Sequence, residues 1–194
     1  LNHTIPDING TYDDNNLSGG LIHLNKNIPT IIVPDLHARF DFFYNILFFN
    51  TDSNKTVFDM LWDNEIQIVC VGDGFHGEAR AYYRWQKAFD EYIGEFQTHK
   101  NMDEEMIESL NLMEMIMIIK NKFPLNFHFL KRNHENILNE YGNGNYPFRK
   151  FTFEGQMVKF YIEKFFGPDF IENYSRFEKN LPIFAIGKNF LISH

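Results

Sequence analysis

The stretch LNFHFLKRNHEN, residues 125–136, places an apolar segment directly before a run of charged and polar side chains. Its first half, LNFHFL, has the length and aromatic content of a buried strand. Two other apolar runs, IPTIIV at 28–33 and IQIVCV at 66–71, are of the same kind, and a helical pattern follows each of them. Strands that alternate with helices predict an α/β fold.

Composition limits the function classes. The chain has 194 residues and a net charge of -8, so we expect one domain and no general attraction to nucleic acid. Its apolar runs are shorter than the roughly 20 residues that cross a bilayer, so we expect no membrane partner. The single cysteine, Cys70, lies inside an apolar run and favours a reducing, cytoplasmic location. Because the chain starts at Leu1 and ends within an apparent strand, we expect a fragment of a longer protein.

The chain divides into two parts by pattern. Residues 1–27 are rich in Asn, Asp and Gly and predict a polar leader that is partly loop, whereas residues 28–194 form the predicted domain. Within the domain, aromatic residues from Tyr82 to Phe96 recur at steps of three and four, which predicts an amphipathic helix. A second helix is predicted to start near Asp103 and to end before Pro124. Together they form a predicted helical insertion at about 78–122.

Polar side chains with metal-binding chemistry follow the predicted strands. Parallel strands bring their carboxyl ends to one edge of a sheet, so residues distant in sequence can meet there. The candidate ligands are Asp35, His37, Asp73, Asn133, His134 and His194. Carboxylate, imidazole and amide groups suit manganese, iron, zinc or magnesium. Asp73 lies in a glycine-rich turn and is the natural candidate to bridge two ions.

Four motifs occur after predicted strands in a fixed order: PDLHAR at 34–39, VGDGFHGE at 71–78, KRNHEN at 131–136 and LISH at 191–194. In this order they resemble the calcineurin-like metallophosphoesterases, and within them the phosphoprotein phosphatase branch. The resemblance implies a β-sandwich flanked by helices, in α-β-β-α layers, that is incomplete at the C-terminal end of this chain.

The resemblance also implies a role for each matched residue. Asp35 and His37 would hold one divalent ion, Asp73 would bridge two ions, and Asn133 and His194 would hold the second. His134 would protonate the leaving oxygen, and Glu135 would support the site from outside. Manganese is the first expectation for both ions, and the chemistry of two ions would activate a bridging water for attack on phosphorus.

The sequence departs from the family pattern beside the site. His76 and Gly77 stand where the family has aspartate and arginine, so either His76 or Glu78 is the candidate to orient His134. Lys131 stands where the family has a phosphate-binding arginine, and Arg132 stands where it has glycine. Lys131 and Arg132 are therefore the candidate phosphate-binding residues, although Arg132 could also distort a turn that prefers glycine.

Three functions remain open on the sequence. The first is a metal-dependent phosphoesterase that hydrolyses phosphomonoesters on a protein or a small molecule. The second is a dinucleoside polyphosphate hydrolase, since those enzymes share the motifs. The third is a catalytically silent metal-binding or regulatory module, which the missing Asp-Arg pair and Arg132 both favour.

Overall fold

The computed structural model describes residues 20–139 and 146–193 and confirms a mixed α/β fold. The strands within these ranges are β1 Leu21–His23, β2 Thr30–Val33, β3 Gln67–Cys70, β4 Phe127–Phe129, β5 Phe184–Ile186 and β6 Leu191–Ser193. The α-helices are α1 Phe40–Leu47, α2 Val57–Trp62, α3 Tyr82–Ile93, α4 Lys100–Lys122, α5 Glu154–Phe165 and α6 Pro168–Lys179. A 3₁₀ helix, Glu78–Ala81, leads into α3.

Two small sheets are built from the described strands. In the first, β2, β3 and β4 are parallel and lie in that order, with Val33 opposite Cys70 and Cys70 opposite Phe129. In the second, β5 lies between β1, to which it is parallel, and β6, to which it is antiparallel. The parallel first sheet is the one that delivers the polar motifs, because its three carboxyl ends point the same way.

Local sequence explains where several helices begin. Thr56 caps α2 by accepting the backbone N–H of Asp59, whose carboxylate in turn accepts the backbone N–H of Thr56. This reciprocal pair satisfies two donors that a helix start leaves without a partner. At α6, Pro168 fills the first helical position and Gly167 precedes it with φ of 83°.

The large core lies between the first sheet and the helices. It contains Phe43 of α1, Trp85 of α3, Met113 of α4 and Phe127 of β4, all nearly inaccessible to solvent. A second, smaller apolar cluster joins the two sheets and consists of Leu24, Val69, Leu130, Ala185 and Ile192. The first sheet is therefore covered by helices on one face and contacts the second sheet on the other.

The structure adds detail to the predicted division of the chain. Strand β1 lies inside the predicted leader 1–27, and its partner β5 is more than 150 positions away. The predicted insertion at about 78–122 contains the 3₁₀ helix, α3 and α4, and α4 starts at Lys100 rather than near Asp103. None of the helices in the described ranges combines the length and the apolar composition that crossing a membrane requires.

Candidate metal centre

Two predicted ligands, His37 and Asp73, and the predicted acid, His134, converge at the carboxyl edge of the first sheet. His37 follows β2, Asp73 follows β3 and His134 follows β4, and each offers a ligand atom within 4.8 Å of the other two. His37 is 9% exposed and Asp73 is 1% exposed, so the group lies below the surface. The parallel order of β2, β3 and β4 is what brings together residues that are 97 positions apart.

The loops that carry these ligands are tied to each other by their backbones. The N–H of His37 donates to the carbonyl of Asp73 over 2.6 Å, and the N–H of Ala38 donates to the carbonyl of Gly74 over 2.8 Å. Gly72 has φ of 107°, and a Cβ there would lie 2.8 Å from the carbonyl oxygen of Leu130. Glycine is therefore required at this position both for its backbone angle and for the close approach of the β4 loop.

Backbone strain is concentrated at the site. His37, Asp73, His76 and Glu78 all have positive φ, at 45°, 54°, 77° and 55°. Residues with a Cβ rarely adopt this conformation, and each instance costs on the order of 1–3 kcal/mol. The surrounding hydrogen bonds offset this conformational free energy. Such strain is typical of binding and catalytic sites.

Glu135 fixes the positions of the second and third loops. Its carboxylate accepts the backbone N–H groups of Asp73, Gly74 and Arg132 at 3.2, 2.8 and 2.9 Å. The side chain is only 1% exposed, and burial raises its pKa while the three N–H donors oppose that rise. Glu135 is thus a single buried carboxylate that joins two loops of the site. These contacts are compatible with the supporting role that the family resemblance implies for it.

Arg132 lies inside the carboxylate cluster. Its Nη1 contacts Oδ2 of both Asp35 and Asp73. Burial raises the pKa of Asp73 to about 7, the carboxylate of Glu135 adds to the rise, and the Arg132 guanidinium opposes it. Arg132 is not among the described residues with positive φ, so its backbone does not require the glycine of the family pattern.

His134 is held in one orientation by its surroundings. Its Nδ1 lies 3.1 Å from the carbonyl oxygen of Phe75, and its ring stacks on Phe148 with centroids 4.3 Å apart. A carbonyl only accepts, so Nδ1 carries the hydrogen and Nε2 keeps its lone pair. Burial lowers the pKa of His134 to about 3, and therefore the imidazole is neutral at physiological pH.

Glu78 lies beside His37 rather than beside His134, the residue that it was a candidate to orient. Its Oε1 is 3.7 Å from Nδ1 of His37 and 3.6 Å from Nδ1 of His76, and its other oxygen pairs with Lys150. The backbone N–H of Glu78 also donates to Nδ1 of His76. Glu78 is thus placed beside His37, the first of the predicted ligand histidines.

His76, the other candidate to orient His134, is a packed residue in the structure. Its ring is fully buried, stacks on Trp85 at 4.9 Å between centroids, and meets the His134 ring edge-on at 5.5 Å. Its Nε2 lies 3.6 Å from Oε1 of Glu154. The nitrogen that carries the hydrogen therefore faces a carboxylate and not His134.

Sequence reasoning missed Glu154. This residue starts α5, is 0% exposed, and accepts the backbone N–H groups of Lys150, Phe151 and Thr152. These donors, with His76, outweigh burial and lower its pKa to about 2. A lone acidic residue between aromatic residues in the stretch FTFEGQMV was the signal that could have identified it.

Arg80 and Glu105 were also missed, and both support the site loops. The guanidinium of Arg80 donates to the carbonyls of His37 and Ala38 at 3.1 and 3.0 Å. Glu105 of α4 is 1% exposed, accepts the backbone N–H of Gly77 and pairs with Arg84. The 3₁₀ helix and α4 therefore fix the first two loops from the side, through contacts that only the folded chain creates.

The remaining predicted residues lie apart from the cluster or outside the described ranges. The side chain of Asn133 is exposed in the turn after β4, and the backbone N–H of Lys131 donates to the carbonyl of Pro182 in front of β5. His194 lies outside the described residues. Among the described residues, those with ligand atoms within 4.8 Å of one another are His37, Asp73 and His134.

The chemistry of His37, Asp73 and His134 fits a divalent metal. Two neutral imidazoles and a carboxylate are a donor set that zinc, iron and manganese accept. Oδ1 of Asp73 is buried without a hydrogen-bond partner among the described residues, which is costly unless another group satisfies it. Burial lowers the pKa of His37, which keeps its imidazole in the neutral form that binds a metal.

Compared with known proteins, the chain matches no family model and no curated protein sequence.

Proposed function

We propose that this chain is a metal-dependent phosphoesterase that hydrolyses phosphomonoesters of a phosphorylated protein or a small molecule. The single observation that carries the proposal is the cluster of His37, Asp73 and His134 at one sheet edge, with the Arg132 guanidinium beside it. A metal ligand set and a phosphate-binding group within one buried site are the two components that phosphoester hydrolysis requires. Manganese is the first candidate ion, with iron, zinc and magnesium as alternatives.

His37, Asp73 and His134 would hold the ion. A divalent cation there would lower the pKa of a water and offset charge that develops on the phosphoryl oxygens. The water oxygen would form a bond to phosphorus as the ester P–O bond breaks, and the proton that the water loses would pass to the oxygen of the leaving alcohol. Glu78 orients His37 through Nδ1, since a carboxylate next to a ligand histidine fixes its tautomer.

His134 has two candidate roles, metal ligand and proton donor. Because its pKa is about 3 and its Nδ1 donates to Phe75, the neutral ring has a free lone pair on Nε2. A neutral imidazole binds a metal ion directly, whereas it can donate a proton from Nε2 only after gaining one. These properties support the ligand role for His134 over the acid role, which stays a prediction from the family resemblance.

The fold supports the same proposal. The two sheets share an apolar cluster that includes Val69, Ala185 and Ile192, and helices cover the outer face of the first sheet. This arrangement is compatible with the α-β-β-α sandwich of the metallophosphoesterases. A single buried thiol, Cys70, fits the cytoplasmic location proposed for the protein.

A substrate panel tests the proposal. The chain is loaded with Mn²⁺, and hydrolysis of p-nitrophenyl phosphate, a phosphoserine peptide and a dinucleoside tetraphosphate is followed by product release. Turnover of either monoester supports the proposal. Turnover of the dinucleotide alone favours the polyphosphate hydrolase, and Mn²⁺ binding without turnover favours the silent module.

A further inference from the structure

We propose that Arg132 is the built-in second cation of this site, so that the chain binds one divalent ion, on His37, Asp73 and His134, instead of two. This inference rests on the proposed function, because it specifies the metal content of the same site. It concerns one of the residues at which the chain departs from the family pattern, and it assigns that residue a role.

The position of the guanidinium carries the argument. Nη1 of Arg132 contacts Oδ2 of Asp35 and Oδ2 of Asp73 at once, so one nitrogen joins the carboxylates that follow β2 and β3. A metal ion shared by these two residues would occupy the same place, and it would be the ion that the resemblance assigns to Asp35 and His37. The resemblance assigns Asp73 to both ions, and in this structure one of its two cationic partners is already part of the chain.

Charge balance leads to the same conclusion. Asp35 and Asp73 supply two negative charges, and Arg132 neutralises one of them permanently, since a guanidinium is not deprotonated in proteins. A single divalent ion on His37, Asp73 and His134 then supplies more positive charge than the one negative charge that remains. A second divalent ion would lie next to both the guanidinium and the first ion, where like charges repel strongly at low dielectric.

The chain holds Arg132 in place by contacts independent of Asp35 and Asp73. Its backbone N–H donates to Glu135 at 2.9 Å, and the same carboxylate accepts the N–H of Asp73. The Arg132 Cβ packs over Gly72, where an added Cβ would lie 3.1 Å from it. The loop that carries Arg132 is therefore fixed relative to the loop that carries Asp73.

The guanidinium also keeps donors for substrate. Nε of Arg132 is buried and has no hydrogen-bond partner among the described residues. A guanidinium has five N–H donors in a planar fork, so the contacts of Nη1 with the carboxylates do not use up its capacity to bind a phosphoryl oxygen. One residue can thus replace a metal ion in charge and take part in holding phosphate.

The described residues of the turn after β4 agree with this inference. Asn133, which the resemblance assigns to the second ion, has an exposed side chain, whereas the three ligands of the proposed single site have ligand atoms within 4.8 Å of one another. Arg132 occupies the adjacent position in sequence, and its guanidinium contacts Asp35 and Asp73. The turn after β4 therefore places a cation in the site and leaves the Asn133 side chain exposed.

Metal stoichiometry tests the inference independently of activity. Mn²⁺ alone is titrated calorimetrically into the chain and into Arg132→Met, Arg132→Lys and Lys131→Met, each checked for folding by circular dichroism. We expect one Mn²⁺ per chain for the unmodified protein, Arg132→Lys and the control Lys131→Met, and two for Arg132→Met. The electron paramagnetic resonance spectrum of the unmodified protein in excess Mn²⁺ should be that of isolated ions.

Each alternative outcome has a distinct meaning. Two Mn²⁺ per unmodified chain, an exchange-coupled spectrum, or a folded Arg132→Met that still binds one ion would overturn the inference. If Arg132→Met does not fold, the Mn²⁺ stoichiometry and the electron paramagnetic resonance spectrum of the unmodified protein test the inference without it. Two ions in the unmodified chain together with turnover would overturn the inference and leave the proposed function supported. One ion in the unmodified chain and two in Arg132→Met, without turnover in the substrate panel, would support the inference and overturn the proposed function. No Mn²⁺ binding would refute both.

Discussion

Oε1 of Glu78 lies 3.7 Å from Nδ1 of His37, on the side of the ring opposite the carboxylates of Asp35 and Asp73, which lie near Nε2. Carboxylates in this position fix the orientation and the tautomer of metal-binding histidines. Glu78 has φ of 55° in its position beside His37, and this conformation adds backbone strain at the site. The relation predicts that Glu78 acts on the metal through His37.

Replacement of Glu78 by alanine should weaken Mn²⁺ binding by about 10- to 100-fold, the usual effect of losing a partner of a ligand histidine. The Mn²⁺ affinity of Glu78→Gln should lie between those of Glu78→Ala and the unmodified protein, because the amide keeps the shape of the carboxylate without its charge. Calorimetric titration measures the affinity. Lys150→Met, which removes only the other partner of Glu78, serves as the control; equal losses in Glu78→Ala and Lys150→Met would point to loop disorder instead.

Glu135→Ala should destabilise the fold strongly. The substitution leaves the buried N–H groups of Asp73, Gly74 and Arg132 without their acceptor, and each such loss costs on the order of 1 kcal/mol or more. We expect the free energy of unfolding in urea to fall by about 3 kcal/mol. The exposed pair of Glu65 with Lys55 provides the comparison, since Glu65→Ala should change stability by less than about 1 kcal/mol. A loss at Glu135 no larger than that would contradict its role.

His128 should make the protein sensitive to acid. Burial lowers the pKa of His128 from 6.5 to about 3, and the charge of Lys120, whose Nζ lies 3.4 Å from Nδ1, adds to the effect. Below pH 6.5 His128 becomes protonated in the unfolded chain, whereas in the folded chain it stays neutral down to about pH 3. The free energy of unfolding therefore falls as the pH falls from 6.5 to about 3. The slope from this one residue is about 1.4 kcal/mol per pH unit.

Comparison of His128→Gln with the unmodified protein isolates that slope. Between pH 6.5 and about pH 4.5 the unmodified protein should lose about 2 kcal/mol more unfolding free energy than the variant does. Urea unfolding at the two pH values measures the difference, and the contributions of His37 and His134 cancel because both proteins retain them. Parallel pH profiles would show that His128 is not held neutral by the fold.

Much of the site could be predicted because its ligands lie close to strands that are obvious in sequence. The β-branched and aromatic runs before Asp35, Asp73 and Asn133 identify β2, β3 and β4, and parallel pairing then brings their ends together. Strand β1, LIH, could not be separated from the leader, because three residues carry little pattern and gain their order from pairing with β5.

The parts that sequence could not supply depend on side-chain direction. Arg132 and Asn133 are adjacent, yet one side chain enters the carboxylate cluster and the other is exposed, a difference set by the turn after β4. Glu154 reaches His76 from α5, 78 positions away, and no local rule relates the two. Glu78 was identified as an orienting residue, but its partner depends on the 3₁₀ helix that carries it.

The most direct test of the proposed phosphoesterase is Mn²⁺-dependent hydrolysis of p-nitrophenyl phosphate by the unmodified chain and by Asp73→Asn. Asp73 is the carboxylate ligand of the cluster, and an amide in its place removes the charge that binds the cation. The proposal predicts phosphate release that requires Mn²⁺ in the unmodified chain and falls to background in the variant, together with loss of Mn²⁺ binding. Equal metal-dependent hydrolysis by the two proteins would contradict it.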